Sequence, residues 1–252
     1  MTNEFYDPGE HRGARVKELF GRIASRYDLI NDLQSFGLHR YWKRRVIRLA
    51  RPGANEQALD ICCGTGDLAL LLAERGARVL GVDFSEHMLD IARKRKSSPD
   101  SATAQNRDSV QAPRSCLPRF VQADALRLPF PDNSFDIVTI AYGLRNLSDL
   151  KAGLLEMRRV ARPDARLLVL DFGKPDNPVW RSAYFNYLKL FVPVLGRIFC
   201  GSASAYAYIL ESLLHYPAQR GVASEMTDLG LKNVRIVNLL GGVMSINYGE
   251  VG

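Results

Sequence analysis

Ala58-Leu-Asp-Ile-Cys-Cys-Gly-Thr-Gly-Asp-Leu-Ala69, followed by Arg78-Val-Leu-Gly-Val-Asp83, decides the fold. An apolar run ends in a glycine-rich turn, a helical pattern follows, and a second apolar run ends in an acid. That order reads as strand, tight turn, helix and strand, the first half of a nucleotide-binding α/β sheet. Gly64 and Gly66 let the backbone approach a ligand without Cβ interference. Asp83, at the end of the second strand, is placed to accept hydrogen bonds from ribose hydroxyls.

Two cofactors fit these letters. Gly64-Thr-Gly-Asp-Leu-Ala69 satisfies the dinucleotide pattern G-x-G-x-x-G/A, which carries an NAD reading. Asp60 favours S-adenosylmethionine instead. A carboxylate at that strand end suits the cofactor's methionine ammonium and would crowd a pyrophosphate.

Working outward, the chain of 252 residues, 46% hydrophobic, is long enough for one sizeable α/β core. No apolar run is long enough to span a bilayer, and Met1 opens no signal-peptide pattern. Cys62, Cys63, Cys116 and Cys200 have neither metal-ligand nor disulfide spacing, so no metal site is expected and a reducing, cytoplasmic setting is. The net charge of +7 is concentrated at the start: Arg40, Lys43, Arg44, Arg45, Arg48 and Arg51 follow one another with no acid between them. On a helix, Arg40, Arg44 and Arg48 form one stripe, with Trp42, Val46 and Leu49 on another face. The run reads as a solvated face or as attraction to an anionic surface.

Further strands are expected at 57–62, 78–82, 119–122, 135–140, 166–171, 234–239 and 243–248. Helices are expected over 66–76, 85–96 and 150–161, and before Gly230. The last two strands, joined through Gly241-Gly242, form only as a hairpin, which makes one strand antiparallel in a mostly parallel sheet. Residues 97–118 read as a flexible insertion. Between 184 and 199, Tyr184, Tyr187, Leu188, Phe191, Val194, Leu195, Ile198 and Phe199 recur at helical spacing, with Pro193 expected to kink the helix.

These residues resemble a family. Phe20-Gly-Arg-Ile-Ala-Ser-Arg-Tyr-Asp28 with Asn31, Ser35-Phe-Gly-Leu-His-Arg-Tyr-Trp42, the glycine turn and Leu128-Pro-Phe-Pro-Asp-Asn-Ser-Phe-Asp136 all contribute. So do Tyr142-Gly-Leu-Arg-Asn146, Glu156 with Arg159-Val160, Leu170-Asp-Phe172 and Tyr206-Ala-Tyr-Ile-Leu-Glu-Ser212. In that order they are similar to the menaquinone/ubiquinone-biosynthesis C-methyltransferases, a branch of the class I S-adenosylmethionine-dependent methyltransferases. The long insertion is one departure. Ile246-Asn-Tyr-Gly249, where the family commonly ends in a His-Arg-Gly pattern, is another.

The resemblance implies an α/β class I (Rossmann-like) fold: a seven-stranded, mostly parallel sheet with one antiparallel strand and helices on both faces. The chain is read as a single domain, 1–252, with an N-terminal helical cap at 12–52 and, at 178–216, a region whose apolar stripe is expected first to cover the core and otherwise to form a substrate lid or meet a membrane surface. For the cofactor S-adenosylmethionine the resemblance assigns Gly64, Thr65 and Gly66 to the methionine end, where Asp60 is already read, and Asp83 to the ribose. Asp124 and Ala125 fall to the adenine, and Ala141 lies beside the sulfonium. Met88 is expected to pack rather than bind.

The implied reaction is methyl transfer to a ring carbon of a prenylated quinol, naphthoquinol first and benzoquinol as the alternative. Arg145 is expected to stabilise the phenolate, Asn146 to bond a ring oxygen and Tyr27 to close the site. Structural counterparts are weighed beside these: Arg145 paired with a carboxylate, Asn146 and Asp124 capping turns, Tyr27 as packing. His39 and His215 titrate in the right range but are expected to be packing or surface residues. The expected partners are the quinol and, transiently, a membrane surface, with a homodimer left open and no nucleic acid. A nucleic-acid amino-methyltransferase would carry an Asn/Asp-Pro-Pro-Tyr/Phe segment where this chain has Ala141-Tyr-Gly-Leu-Arg-Asn146.

Overall fold

Seven strands pair in the order β3-β2-β1-β4-β5-β7-β6 in a computed structural model that describes residues 31–32, 35–97, 117–200 and 204–252. In chain order the elements are α1 (Leu38–Ala50), β1 (Gln57–Ile61), α2 (Asp67–Ala73), β2 (Arg78–Asp83), α3 (Glu86–Ser97), β3 (Arg119–Gln122) and β4 (Phe135–Ala141). A 3-10 turn (Leu144–Asn146), α4 (Leu150–Val160), β5 (Ala161–Phe172), α5 (Pro178–Cys200), α6 (Ser204–His215), α7 (Ala218–Asp228), β6 (Lys232–Leu239) and β7 (Met244–Glu250) complete the set. Tyr27, most of the cap expected at 12–52 and nearly all of the insertion expected at 97–118 lie outside the described residues.

Strands β1 to β5 are parallel, while β7 runs antiparallel to both β5 and β6. The expected single antiparallel strand is therefore β7, entered through Gly241 (φ 64°) and Gly242 (φ 96°). The central strands read as near-continuous apolar runs because helices cover both sheet faces. Leu59, Ile61, Ile137, Ile140 and Val169 are almost wholly buried in consequence. The reversal of strand order between β1 and β4 opens the crevice at the carboxyl ends where such sheets bind ligands. Met88 is buried, as expected for packing.

Two elements differ from expectation. Strand β5 begins at Ala161 rather than 166, straight after α4, because Ala161 already pairs with Phe135 before a register shift near Asp164 (φ 62°). Among the described side chains of helix α5, Tyr184, Leu188 and Val192 are the buried ones, one residue per turn. Leu190, Phe191 and Val194, from the remainder of the expected apolar stripe and its flank, face solvent at 60%, 62% and 54%.

The Leu128-Pro-Phe-Pro-Asp132 loop is held by α4. Arg159 donates to the carbonyls of Phe130 and Leu128 and to Asp132 and Glu156, and Glu156 accepts from the Leu128 amide. These motif residues act as a clasp that fixes the loop leading into β4.

Candidate active site

The carboxyl ends of β1, β2 and β4 bring the predicted cofactor residues together. Beyond β1 the chain takes left-handed conformations at Cys62 (φ 53°), Gly64 (φ 55°) and Gly66 (φ 85°), wrapping tightly into α2. A Cβ on Gly66 would meet Phe120 Cζ at 2.8 Å and Ala92 Cβ at 3.1 Å. Gly66→Ala is therefore expected to cost about 1–3 kcal/mol from strain and overpacking. Thermal melting with and without S-adenosylhomocysteine checks this; a variant as stable as wild type would show that Phe120 yields freely.

Asp83 closes the loop from β2. Its Oδ2 accepts from the Gly64 amide and its Oδ1 from the Ser85 amide, both at 2.9 Å. A carboxylate has about four acceptor positions, so two contacts leave room for ribose hydroxyls. Burial raises its pKa, opposed by those same amides and that of Phe84.

Asp60 sits deeper, 1% exposed. Its Oδ1 accepts from Thr139 Oγ1 at 2.8 Å, and its buried Oδ2 has no hydrogen-bond partner. Burial pushes its pKa up to about 7, against the opposing influence of Thr139, Lys43 and the Ala69 amide, with Asp83 adding to the rise. An orphaned buried carboxylate oxygen under a glycine loop is the complement an ammonium group requires.

A pH dependence follows. Asp60's folded pKa is raised, so the folded state holds the proton more tightly than the unfolded chain. That contribution to stability is full below the ordinary Asp pKa of about 4 and is lost as pH rises through about 7. A bound ammonium favours the ionised form, so affinity for S-adenosylhomocysteine is expected to rise up to about pH 7 and then flatten. Calorimetric titration across this range should show the step in wild type and not in Asp60→Asn. A flat wild-type profile would remove Asp60 from this role.

Asp124 follows β3 and is solvent-exposed, its Oδ1 accepting from the Leu126 amide at 2.9 Å. It thus makes the turn contact weighed for it, and Ala125 beside it is buried. Thr65 is buried, its carbonyl and hydroxyl both accepting from Arg95. Ala141 ends β4 and leads to Tyr142, a second left-handed non-glycine residue (φ 60°). Gly143 then passes so close to Cys62 that a Cβ there would lie 2.5 Å from Cys62 Cβ. The loops after β1 and β4 are thereby locked together.

Arg145 and Asn146 lie in the 3-10 turn after β4, both buried. Arg145 Nη1 pairs with Asp171 Oδ1 at 2.6 Å and donates to the Tyr142 carbonyl at 2.9 Å, and its guanidinium lies 4.6 Å from the centre of the Phe172 ring. The carboxylate pairing weighed for Arg145 is thus present. Asn146 Nδ2 donates to the Tyr142 carbonyl at 3.1 Å. Tyr184 of α5 and Tyr216 after α6 lie within the electrostatic reach of the Arg145–Asp171 pair, and burial raises both phenols.

The basic run divides. Arg40, Arg44 and Arg48 are exposed as expected, whereas Lys43 is buried and pairs with Asp67 Oδ2 at 2.5 Å. Reading it with the solvated arginines missed this, because Lys43 stands beside Trp42 on the flank of the buried face. His39 is a packing residue bonded to Asp32, its pKa lowered by burial first, and His215 is exposed at the end of α6. Asn247, in the Ile246-Asn-Tyr-Gly249 stretch, is buried and donates to the Gln219 carbonyl, so it ties β7 to α7.

Comparison with known proteins decides the family: the model of the ubiE/COQ5 methyltransferase family matches residues 9–250. The chain belongs to that family. This methyltransferase is 38% identical over 246 residues to a demethylmenaquinone methyltransferase of Desulfitobacterium hafniense, covering 96% of this chain and 92% of that one. It is 40% identical to a ubiquinone/menaquinone biosynthesis C-methyltransferase of Ectopseudomonas mendocina, covering 96% and 91%. A solved SAM-dependent methyltransferase of Thermotoga maritima superposes with a TM-score of 0.63 at 16% identity, covering 93% of this chain and 99% of the other. The cofactor of this methyltransferase is S-adenosylmethionine, and the NAD reading falls. Asp60 with its unmet oxygen, the glycine cradle and Asp83 fit it.

Proposed function

We propose that this methyltransferase transfers a methyl group to a ring carbon of a prenylated naphthoquinol, converting a demethylmenaquinol to a menaquinol. The relative named demethylmenaquinone methyltransferase is the observation that carries this reading. The relatives named for ubiquinone as well as menaquinone favour the same step on a prenylated benzoquinol as the second reading.

The cofactor supplies an electrophilic methyl on a cationic sulfur, and the protein aligns a carbon nucleophile with it. A quinol ring carbon becomes nucleophilic when its neighbouring hydroxyl, with a pKa near 10 like tyrosine's, ionises. Arg145 remains protonated throughout, so it steadies the phenolate rather than taking the proton. Asp171 fixes its guanidinium and Phe172 lies against it, making a surface that suits a flat aromatic ring with a charged oxygen. Asn146, on the same turn, bonds a ring oxygen. Asp124 and Ala125 hold the adenine, and Ala141 borders the sulfonium.

A prenyl tail partitions into lipid. None of the described helices is long and apolar enough to cross a membrane. Trp180, Leu190, Phe191 and Val194 on α5 are nevertheless exposed, as are Arg40, Arg44 and Arg48 on α1. Apolar side chains and exposed arginines suit transient contact with an anionic bilayer at its cytoplasmic face.

The testing assay offers chemically reduced demethylmenaquinone and demethylated benzoquinol analogues in detergent with methyl-labelled S-adenosylmethionine. Product from the naphthoquinol alone establishes the first reading and product from the benzoquinol alone the second. No product from either, with cofactor bound, would reject both.

A further inference from the structure

The methionyl end of S-adenosylmethionine is a zwitterion, an ammonium and a carboxylate on one carbon. Both charges lose water when the group enters the loop, and each then needs an opposite charge or full hydrogen bonding. Asp60 answers the ammonium. Among the assigned cofactor residues no cation answers the carboxylate.

Two cations stand at the loop, Arg95 from α3 and Lys43 from α1, both paired with Asp67 at the start of α2. Arg95 spends its guanidinium on structure: Nη2 reaches Asp67 Oδ1 at 2.6 Å, while Nη1 donates to the Thr65 carbonyl and hydroxyl at 3.3 and 3.0 Å. Lys43 is different. Its side chain is 8% exposed and its ammonium has three donors, one of them taken by Asp67 Oδ2 at 2.5 Å. No other acceptor meets it among the described residues, and Nζ lies 5.9 Å from the centre of the Tyr142 ring. Tyr142 directly follows Ala141, the residue assigned to the sulfonium. The charge of Lys43 also reaches Asp60, where it favours the ionised carboxylate.

Two cations share one acid, and the buried Lys43 ammonium keeps donors beyond the one that Asp67 takes. We propose that Lys43 binds the α-carboxylate of the cofactor's methionyl group, so that Asp60 and Lys43 grip the two charges of one zwitterion from β1 and α1. Asp67 keeps Arg95 as its counter-ion when Lys43 turns to the ligand. Helix α1 then does more than cover the sheet: its docking completes the cofactor site.

The test is calorimetric titration of the full chain with S-adenosylhomocysteine and with its decarboxylated analogue, which keeps the amine and lacks the carboxylate. Lys43→Met preserves length and removes charge. It is expected to weaken S-adenosylhomocysteine by about 10- to 100-fold, the value of a hydrogen bond to a charged group, and the analogue by less than about 2-fold. Asp60→Asn should instead weaken both ligands, because both carry the amine, so failure at Asp60 is read separately. Equal losses for the two ligands in Lys43→Met would mean that Lys43 acts only by holding Asp67, and unchanged affinity for both would also overturn the proposal. Thermal melts establish that the variant is folded. If Lys43→Met does not fold, Lys43→Gln is titrated in its place and judged by the same difference between ligands.

Discussion

Arg145→Met is expected to destabilise the chain by about 3–5 kcal/mol, the cost of leaving a buried carboxylate without its cation. Asp171 is 1% exposed and its Oδ1 pairs with Arg145 Nη1 at 2.6 Å. The same carboxylate accepts from the backbone amides of Arg145 and Phe172. Combining Arg145→Met with Asp171→Asn removes both charges while retaining an oxygen for one of those amides, so part of the lost stability should return. Turnover should not return, because the group that steadies the phenolate is gone. Denaturant unfolding and methyl-transfer rates on the three variants check both halves. A double variant that regained turnover along with stability would give Arg145 a purely structural role.

Asp83→Ala is expected to weaken S-adenosylhomocysteine by about 100-fold or more, about 2.8 kcal/mol at ten-fold per 1.4 kcal/mol. The buried carboxylate organises the site from two directions, through the Gly64 amide of the glycine turn and the Ser85 amide before α3. Hydrogen bonds to a charged group contribute about 1.5–3 kcal/mol each, so losing them loosens the turn as well as the ribose contact. Asp83→Asn keeps one acceptor oxygen and should fall between wild type and Asp83→Ala. Affinity of Asp83→Ala equal to wild type would separate Asp83 from the cofactor.

The parts of the site that share a short stretch of chain were legible beforehand. Asp60, Gly64, Thr65 and Gly66 follow one strand into one helix, so their proximity is covalent and their roles follow from residue type. Asp83 was legible through the strand–helix–strand spacing, which parallel pairing of β1 with β2 converts into closeness. The motif Glu156 with Arg159 was visible, but its work was not: it clasps the Leu128–Asp132 loop from 27 to 31 residues away in sequence, and no local pattern encodes that.

Lys43 and Arg145 mark where reading residue by residue stopped. In a run of basic residues on an amphipathic helix, a position at the edge of the apolar stripe turns inward or outward according to what it meets across the interface. Asp67 on α2 is what Lys43 meets. Arg145 was recognisable as a residue of consequence, yet its pairing needed Asp171, brought alongside by the parallel register of β4 with β5. Likewise the exposed apolar side of α5 emerged only once Tyr184, Leu188 and Val192 had taken the places against the core.

The sequence by itself determined the sheet, its one antiparallel strand, the glycine turn and the acids at the strand ends, because these depend on period, turn chemistry and order along the chain. Tertiary structure decided which charges are matched and by whom. Ion pairs between distant segments depend on register and helix docking, and burial turns the choice of partner into several kcal/mol.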